Sequence, residues 1–364
     1  MHSMIPVYQP DLSGNEKKYV IECLDSSWIS SKGEFIQKFE REFANFTGMA
    51  HAASVSNGTV ALHLALLALD VGPGDEVIVP TFTYIASVNA INYVGATPVF
   101  VDVEPLSWQL DCDLVGNLIT EKTKAIMAVH IYGQPSDMVR LKKIAQQHKL
   151  YLIEDGAEAF GSLVGGCHIG HLSDISTYSF FGNKTVTTGE GGMVTTNSAE
   201  LDRKIRHLKG QGLMEGKEYW HDIVGYNYRM TNICAAIGLA QLEKAEHFIR
   251  RKREIADFYR VHLQGLPLEF QQEQQGSCHS WWMFSILTEN RILRDKLRNY
   301  LTNVGVETRP LFPPIHFMPM YRQPGKSFPI SEGISERGMN LPSWPGMTDE
   351  MLCYIVDKIT GFYK

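Results

Sequence analysis

Between positions 151 and 196, two short apolar runs each end in residues that can do chemistry. Leu152-Ile153 runs into Glu154-Asp155, and residues 175–181 run into Gly182-Asn183-Lys184. Short apolar runs of this kind mark strands covered on both faces, as in a parallel sheet. Open α/β sheets place their ligands at the carboxyl ends of such strands. Asp155 and Lys184 are therefore predicted to face one crevice.

The alternation extends along the chain. Residues 52–55, 77–79, 98–101, 125–129 and 150–153 read as further strands, and residues 85–93, 138–148 and 201–208 as helices, a βαβ pattern. Before them, Ser13 and Glu16 have capping-box spacing for a helix over 14–24, and Phe35, Ile36, Phe39, Phe43 and Phe46 recur at helical spacing over 34–47. Asp102 and Glu104 fall in a strand-end turn. After the lysine loop, residues 210–220 read as a polar loop, and a stretch opening at Gly225 continues as one long helix toward Leu263. That helix is expected to link a large domain, 1–248, to a smaller α/β domain, 249–364. There 282–287 reads as a strand, 291–304 as a helix, and the Pro-rich TRPLFPPIHFMPMY returns toward the cleft. The fold class is α/β, with a mostly parallel central sheet flanked by helices.

With 364 residues and a formal net charge of -6, the chain has a sizeable core and no basic field, which argues against nucleic acid as a partner. Six cysteines are scattered without a CxxC pair and read as reduced thiols rather than a zinc cage or disulfide framework. No basic region followed by an apolar core opens the sequence, and no run of about 18 apolar residues occurs. A cytoplasmic enzyme without a membrane anchor is expected.

An acid and a lysine meeting in a crevice fit the needs of pyridoxal phosphate. That cofactor takes an amine for a Schiff base and a carboxylate beside its pyridine nitrogen. The carboxylate keeps the nitrogen protonated. Upstream, Ser56-Asn57-Gly58-Thr59 opens an apolar helix, and a helix amino terminus suits phosphate. On the motif alone an ordinary Ser/Asn cap explains it equally well. His130 at a strand end reads as a hydrogen-bonded structural residue. His168 and His171 lack a third ligand, so no metal is proposed. Neither a P-loop nor a GxGxxG fingerprint is present, which counts against nucleotide hydrolysis and a nicotinamide-dependent epimerase or reductase.

EDGAEAFG, SFFGNKTVTTGEGGM and SNGTVALHLAL resemble the signature blocks of the nucleotide-sugar aminotransferases, a branch of the aspartate aminotransferase superfamily. With IPVYQPDLSGNEKKYV and WISSKGEFIQKFE the resemblance runs over nearly the whole chain. It implies pyridoxal 5'-phosphate on Lys184, Asp155 at the pyridine nitrogen, and Gly58, Thr59 and Ser179 at the phosphate. Tyr84 takes the position that stacks on the ring, and Glu158 the one near the ring oxygen. Asn227 matches the asparagine that a neighbouring subunit extends to the phosphate, which implies a homodimer or higher oligomer. The loop with Trp28 lies near the site, and His316 belongs to a segment that reaches the sugar. L-glutamate is the implied amino donor, and a GDP-linked 4-keto-6-deoxy sugar the acceptor. A UDP- or dTDP-linked ketosugar stays open. Sugar dehydratases of the family carry histidine in place of the lysine, so Lys184 stands against that activity.

Overall fold

A computed structural model describes residues 4–364. Helices α1 (Glu16–Asp25) and α2 (Glu34–Thr47) precede β1 (His51–Val55), α3 (Gly58–Ala68), β2 (Glu76–Pro80), α4 (Ile85–Tyr93), β3 (Thr97–Val101), β4 (Thr123–Val129), α5 (Met138–His148) and β5 (Tyr151–Asp155). Then come β6 (Ile175–Ser179), β7 (Gly192–Thr196) and α6 (Ala199–Lys209). The seven strands form one sheet in the order β1-β7-β6-β5-β4-β2-β3. Only β7 runs against the others, pairing antiparallel with both β1 and β6.

Strand residues alternate between two apolar layers. Val77, Val79, Ala125, Met127 and Ile153 join the layer under α3 and α4. Ile78, Ile126, Ala128 and Leu152 join the layer under α5, with Met138, Leu141 and Ala145. Burial on both faces explains why the strands read as unbroken apolar runs.

The predicted capping box at the start of α1 does not form, and Asn15 caps the helix without a side-chain bond. Tertiary partners have taken both residues: Ser13 Oγ accepts from Lys244 Nζ at 2.6 Å, and Glu16 Oε1 from Gln241 Nε2 at 2.6 Å. The predicted single helix toward Leu263 is likewise two helices, α7 (Asn232–Leu242) and α8 (Ala245–His262). At the break, Glu243 accepts from Asn15 and Tyr19, while Lys244 pairs with Asp11 at 3.0 Å. The amino-terminal segment is thereby tied across the joint. Helix α7 starts at the Thr231 cap and packs against α1 and α2.

Helix α8 belongs to two cores. Ala245 and Ile249 pack with Phe35 and Phe39, whereas Ile255, Ala256 and Tyr259 pack with the carboxyl-terminal part. There β8 (Glu269–Phe270), β9 (Phe284–Leu287), β10 (Arg309–Pro310) and β11 (Gly338–Leu341) form an antiparallel sheet in the order β8-β9-β11-β10. Helices α9 (Arg291–Asn303) and α11 (Asp349–Tyr363) pack on it, and α10 (Pro329–Arg337) leads into β11. Asp102 has a larger role than the expected turn: its carboxylate accepts from Ile330 N, Ser331 N and Ser331 Oγ, capping α10 from the other sheet. Among the described residues no helix is long and apolar enough to cross a membrane.

Candidate active site

The carboxyl ends of β5 and β6, the start of α3 and the second sheet enclose a cavity of about 730 Å³. Seven of the ten predicted site residues line it: Gly58, Thr59, Tyr84, Asp155, Glu158, Ser179 and Lys184. Parallel pairing sets Asp155 beside Thr177, so the ends of β5 and β6 open on the same side.

Asp155 is buried and accepts from Ser87 Oγ at 2.7 Å and Ala157 N at 3.1 Å. Both donors are neutral, which leaves the carboxylate's charge to be met by a cation within the cavity. A protonated pyridine nitrogen fits that demand. Ser87 comes from the first turn of α4, and nothing in its local sequence signals the role.

At the opposite end, Asn57 Oδ1 accepts from Val60 N at 3.0 Å and caps α3. By helix geometry the N–H groups of the first turn have no intrahelical acceptor. The cap and phosphate readings are thus compatible. A Cβ on Gly58 would stand 2.7 Å from Ser179 Cβ, so only glycine lets the helix come so close to β6. The result is a cluster of N–H groups and a hydroxyl of the kind that suits a phosphate.

Lys184 is held by its backbone as well as its side chain. Trp282 Nε1 donates to Asn183 O at 2.7 Å, and Tyr8 Oη donates to Lys184 O. Its Nζ lies 3.9 Å from the Trp282 ring centroid and 3.8 Å from Glu158 Oε1. Burial pulls the lysine's pKa below its ordinary value, against the pull of Glu158 and Asp155. Burial pushes the Glu158 carboxyl up to about 7, although Lys184 and the Tyr132 N–H, which donates to Oε2 at 2.8 Å, both oppose the shift. A lysine closer to neutrality is the better nucleophile and base.

Tyr84 is 57% exposed, with its ring 5.5 Å from that of Phe312 on the cavity wall. The remaining three predicted residues lie away from the lining. Trp28 is exposed, and its carbonyl accepts from Asn232 Nδ2 at 2.7 Å. His316 is buried with both ring nitrogens engaged, Nδ1 with Thr81 Oγ1 at 2.8 Å and Nε2 with Glu332 Oε1 at 3.2 Å. Asn227 is exposed and accepts from Arg229 Nη2 at 3.2 Å. His130 is also structural, bonded to Glu154 Oε2 at 2.8 Å and accepting at Nδ1 from Ser136 N.

Comparison with known proteins matches residues 10–360 to the DegT/DnrJ/EryC1/StrS aminotransferase family. The chain belongs to this family. DegT/DnrJ/EryC1/StrS aminotransferases work with pyridoxal phosphate, and the buried carboxylate, the cavity lysine and the glycine-built cradle fit that cofactor. Among similar members, a GDP-perosamine synthase of Escherichia coli O157:H7 is 57% identical over 99% of this chain and 99% of its own. One of Vibrio cholerae is 52% identical over 99% and 100%. Among solved structures, the aminotransferase TlmJ from Streptoalloteichus hindustanus superposes with a TM-score of 0.93 at 31% identity, covering 99% of this chain and 98% of that one. A Streptococcus pneumoniae relative in its PLP form gives 0.94 at 28% identity, covering 99% and 98%. This family member is therefore a pyridoxal phosphate enzyme with an α/β aminotransferase fold.

Proposed function

We propose that the protein transfers the amino group of L-glutamate to C4 of GDP-4-keto-6-deoxymannose, releasing GDP-perosamine and 2-oxoglutarate. The observation that carries the substrate is the full-length identity of 57% and 52% with two GDP-perosamine synthases. The geometry supports the reaction class.

Bound in the cavity, pyridoxal phosphate supplies an aldehyde that accepts the amino group and a ring that stabilises the carbanion. The chain does the rest. Gly58, Thr59 and Ser179 would hold the phosphate, and Asp155, fixed by Ser87 and Ala157, would hold charge at the pyridine nitrogen. Lys184 Nζ carries the proton removed from the donor's α-carbon and the one delivered to sugar C4. Tyr84 and Phe312 close the side of the cavity. In this reading residues 1–248 form the cofactor-binding domain and 249–364 the smaller one.

The active unit in this reading is a homodimer whose partners each lend Asn227 to the other's phosphate. Two features support it: Asn227 is exposed away from its own chain's cavity, and the neighbouring Arg229 Nε is buried with no hydrogen-bond partner among the described residues. In this reading the enzyme works in the cytoplasm on soluble substrates.

The test is turnover of a panel of GDP-, UDP- and dTDP-linked 4-keto-6-deoxy sugars with glutamate as donor. Amination at C4 of the GDP sugar, with 2-oxoglutarate released in equal amount, is the expected result. Efficient turnover of only a UDP- or dTDP-linked sugar would overturn the substrate assignment.

A further inference from the structure

The cavity's charged lining is sparse. Among the described residues, three acidic residues line it, Asp155, Glu158 and Glu190, against two basic ones, Lys184 and Arg309. Both proposed substrates are anions, a dicarboxylic amino acid and a nucleoside diphosphate sugar. Asp155 and Glu190 repel an entering anion even with Glu158 drawn toward its neutral form, so a cation is needed to receive it. Lys184 is committed to the chemistry, and the phosphate cradle lies at the α3 end.

Arg309 is the remaining cation among this chain's own described lining residues. It stands on β10, at the edge of the second sheet, in register with Asn340, which also lines the cavity. Its guanidinium has one weak tie: Nε and Nη2 each lie 3.4 Å from Glu307 Oε1, and the arginine side chain is 51% exposed. Exposed pairs with long contacts contribute little, so the fork is available to another anion at small cost. Glu307 is anchored independently, since its Oε2 accepts from Val7 N at 2.9 Å. Releasing Arg309 from Glu307 therefore leaves the strand's link to the amino-terminal segment in place.

We propose that Arg309 is the residue that receives the substrate's anionic group, a carboxylate or a phosphate, on the cavity wall facing the cofactor residues. The planar fork suits either, because both present two oxygens at matching spacing. This inference rests on the aminotransferase reading of the site and adds to it a residue that distinguishes substrates.

The experiment uses the cofactor-loaded protein and its Arg309→Gln and Arg309→Lys variants, with the two half-reactions followed separately by cofactor absorbance. Conversion by glutamate alone reports the carboxylate, and back-conversion of the aminated form by the GDP-linked ketosugar reports the diphosphate. Arg309→Gln is expected to lower kcat/KM of at least one half-reaction by about 10- to 100-fold, the worth of a charge-assisted hydrogen bond. The loss should lie in KM, with the cofactor spectrum and Tm unchanged, and Arg309→Lys should recover part of it. Loss confined to the glutamate arm identifies the carboxylate as the ligand, and loss confined to the sugar arm identifies the diphosphate. Loss in both means that the two anions use the same fork in turn. If both arms stay within about threefold of wild type, or if the spectrum and Tm change along with the rates, the proposal is overturned. A wild type that rejects every GDP-linked sugar removes the proposed acceptor but leaves the glutamate arm readable, so the two failures are distinguishable.

Discussion

Lys184 Nζ and Glu158 Oε1 face each other at 3.8 Å inside the cavity, a largely buried lysine and a buried carboxyl whose pKa values burial drives toward one another. Glu158 is raised from 4.5 to about 7, so the folded protein holds that proton over a range in which the unfolded chain has lost it. A raised carboxyl contributes stability that is fully present below 4.5 and lost as pH rises through about 7. In cofactor-free protein, the Tm of Glu158→Gln relative to wild type should therefore climb across that window. A difference that stays flat with pH would show that Glu158 does not titrate there.

The same pair governs the lysine. Once ionised, Glu158 favours the ammonium form of Lys184, so its removal should leave the amine free at lower pH. An amine-specific reagent applied to cofactor-free protein, with Lys184 labelling read by mass spectrometry, should give a profile displaced to lower pH in Glu158→Gln. An unchanged profile would mean that the two groups are not coupled.

Lys184→Ala should lose turnover by more than about a thousandfold, since nucleophile and proton carrier vanish together. Cofactor should still bind noncovalently, because the Gly58 and Ser179 cradle is untouched. Borohydride should fix cofactor to wild type and not to the variant, as protein mass will report.

Asp155→Asn should lower turnover far more than cofactor content, since the amide keeps a partner for Ser87 but no longer favours a protonated ring nitrogen. Ser87→Ala should have a milder effect in the same direction, the carboxylate keeping its bond from Ala157 N. Equal kinetics and spectra for Asp155→Asn and wild type would reduce Asp155 to a structural carboxyl.

Shared sites predict complementation. Lys184→Ala and Asn227→Ala proteins, each poorly active alone, should regain activity when dissociated and mixed, because one site of a mixed dimer keeps both residues. Mass spectrometry should confirm exchange. No recovery despite exchange would place Asn227 outside the partner's site.

What the sequence made legible was governed by local pattern. Burial on both faces made strands β2 to β5 visible as apolar runs, and the chemistry at the ends of β5 and of the 175–181 run placed Asp155 and Lys184 in one cavity. Competition from distant partners hid the rest. Ser13 and Glu16 have perfect capping spacing yet bond to Lys244 and Gln241, more than 200 positions away. Trp282, which holds the Asn183 carbonyl and faces the Lys184 ammonium, lies 99 positions beyond Asn183 in an ordinary apolar run. The segment's resemblance points His316 at the sugar, whereas Thr81 and Glu332 engage its ring outside the cavity lining. No periodicity or motif encodes such meetings.

The cavity has walls of separate origin. Lys184, Asp155 and the Gly58 cradle are carried by the first sheet and its helices, whereas Arg309, Pro310, Phe312 and Asn340 arrive from the second, which has its own core around Ile255, Phe284 and Leu341. Substitutions in cores that share no partners act nearly independently. At Arg309, whose hydrogen-bond partner is Glu307 rather than a residue that holds Lys184, change can thus accumulate without disturbing the lysine or its carboxylates. Such a construction lets a lineage exchange one sugar nucleotide for another by altering a single sheet edge while the reaction itself is inherited intact.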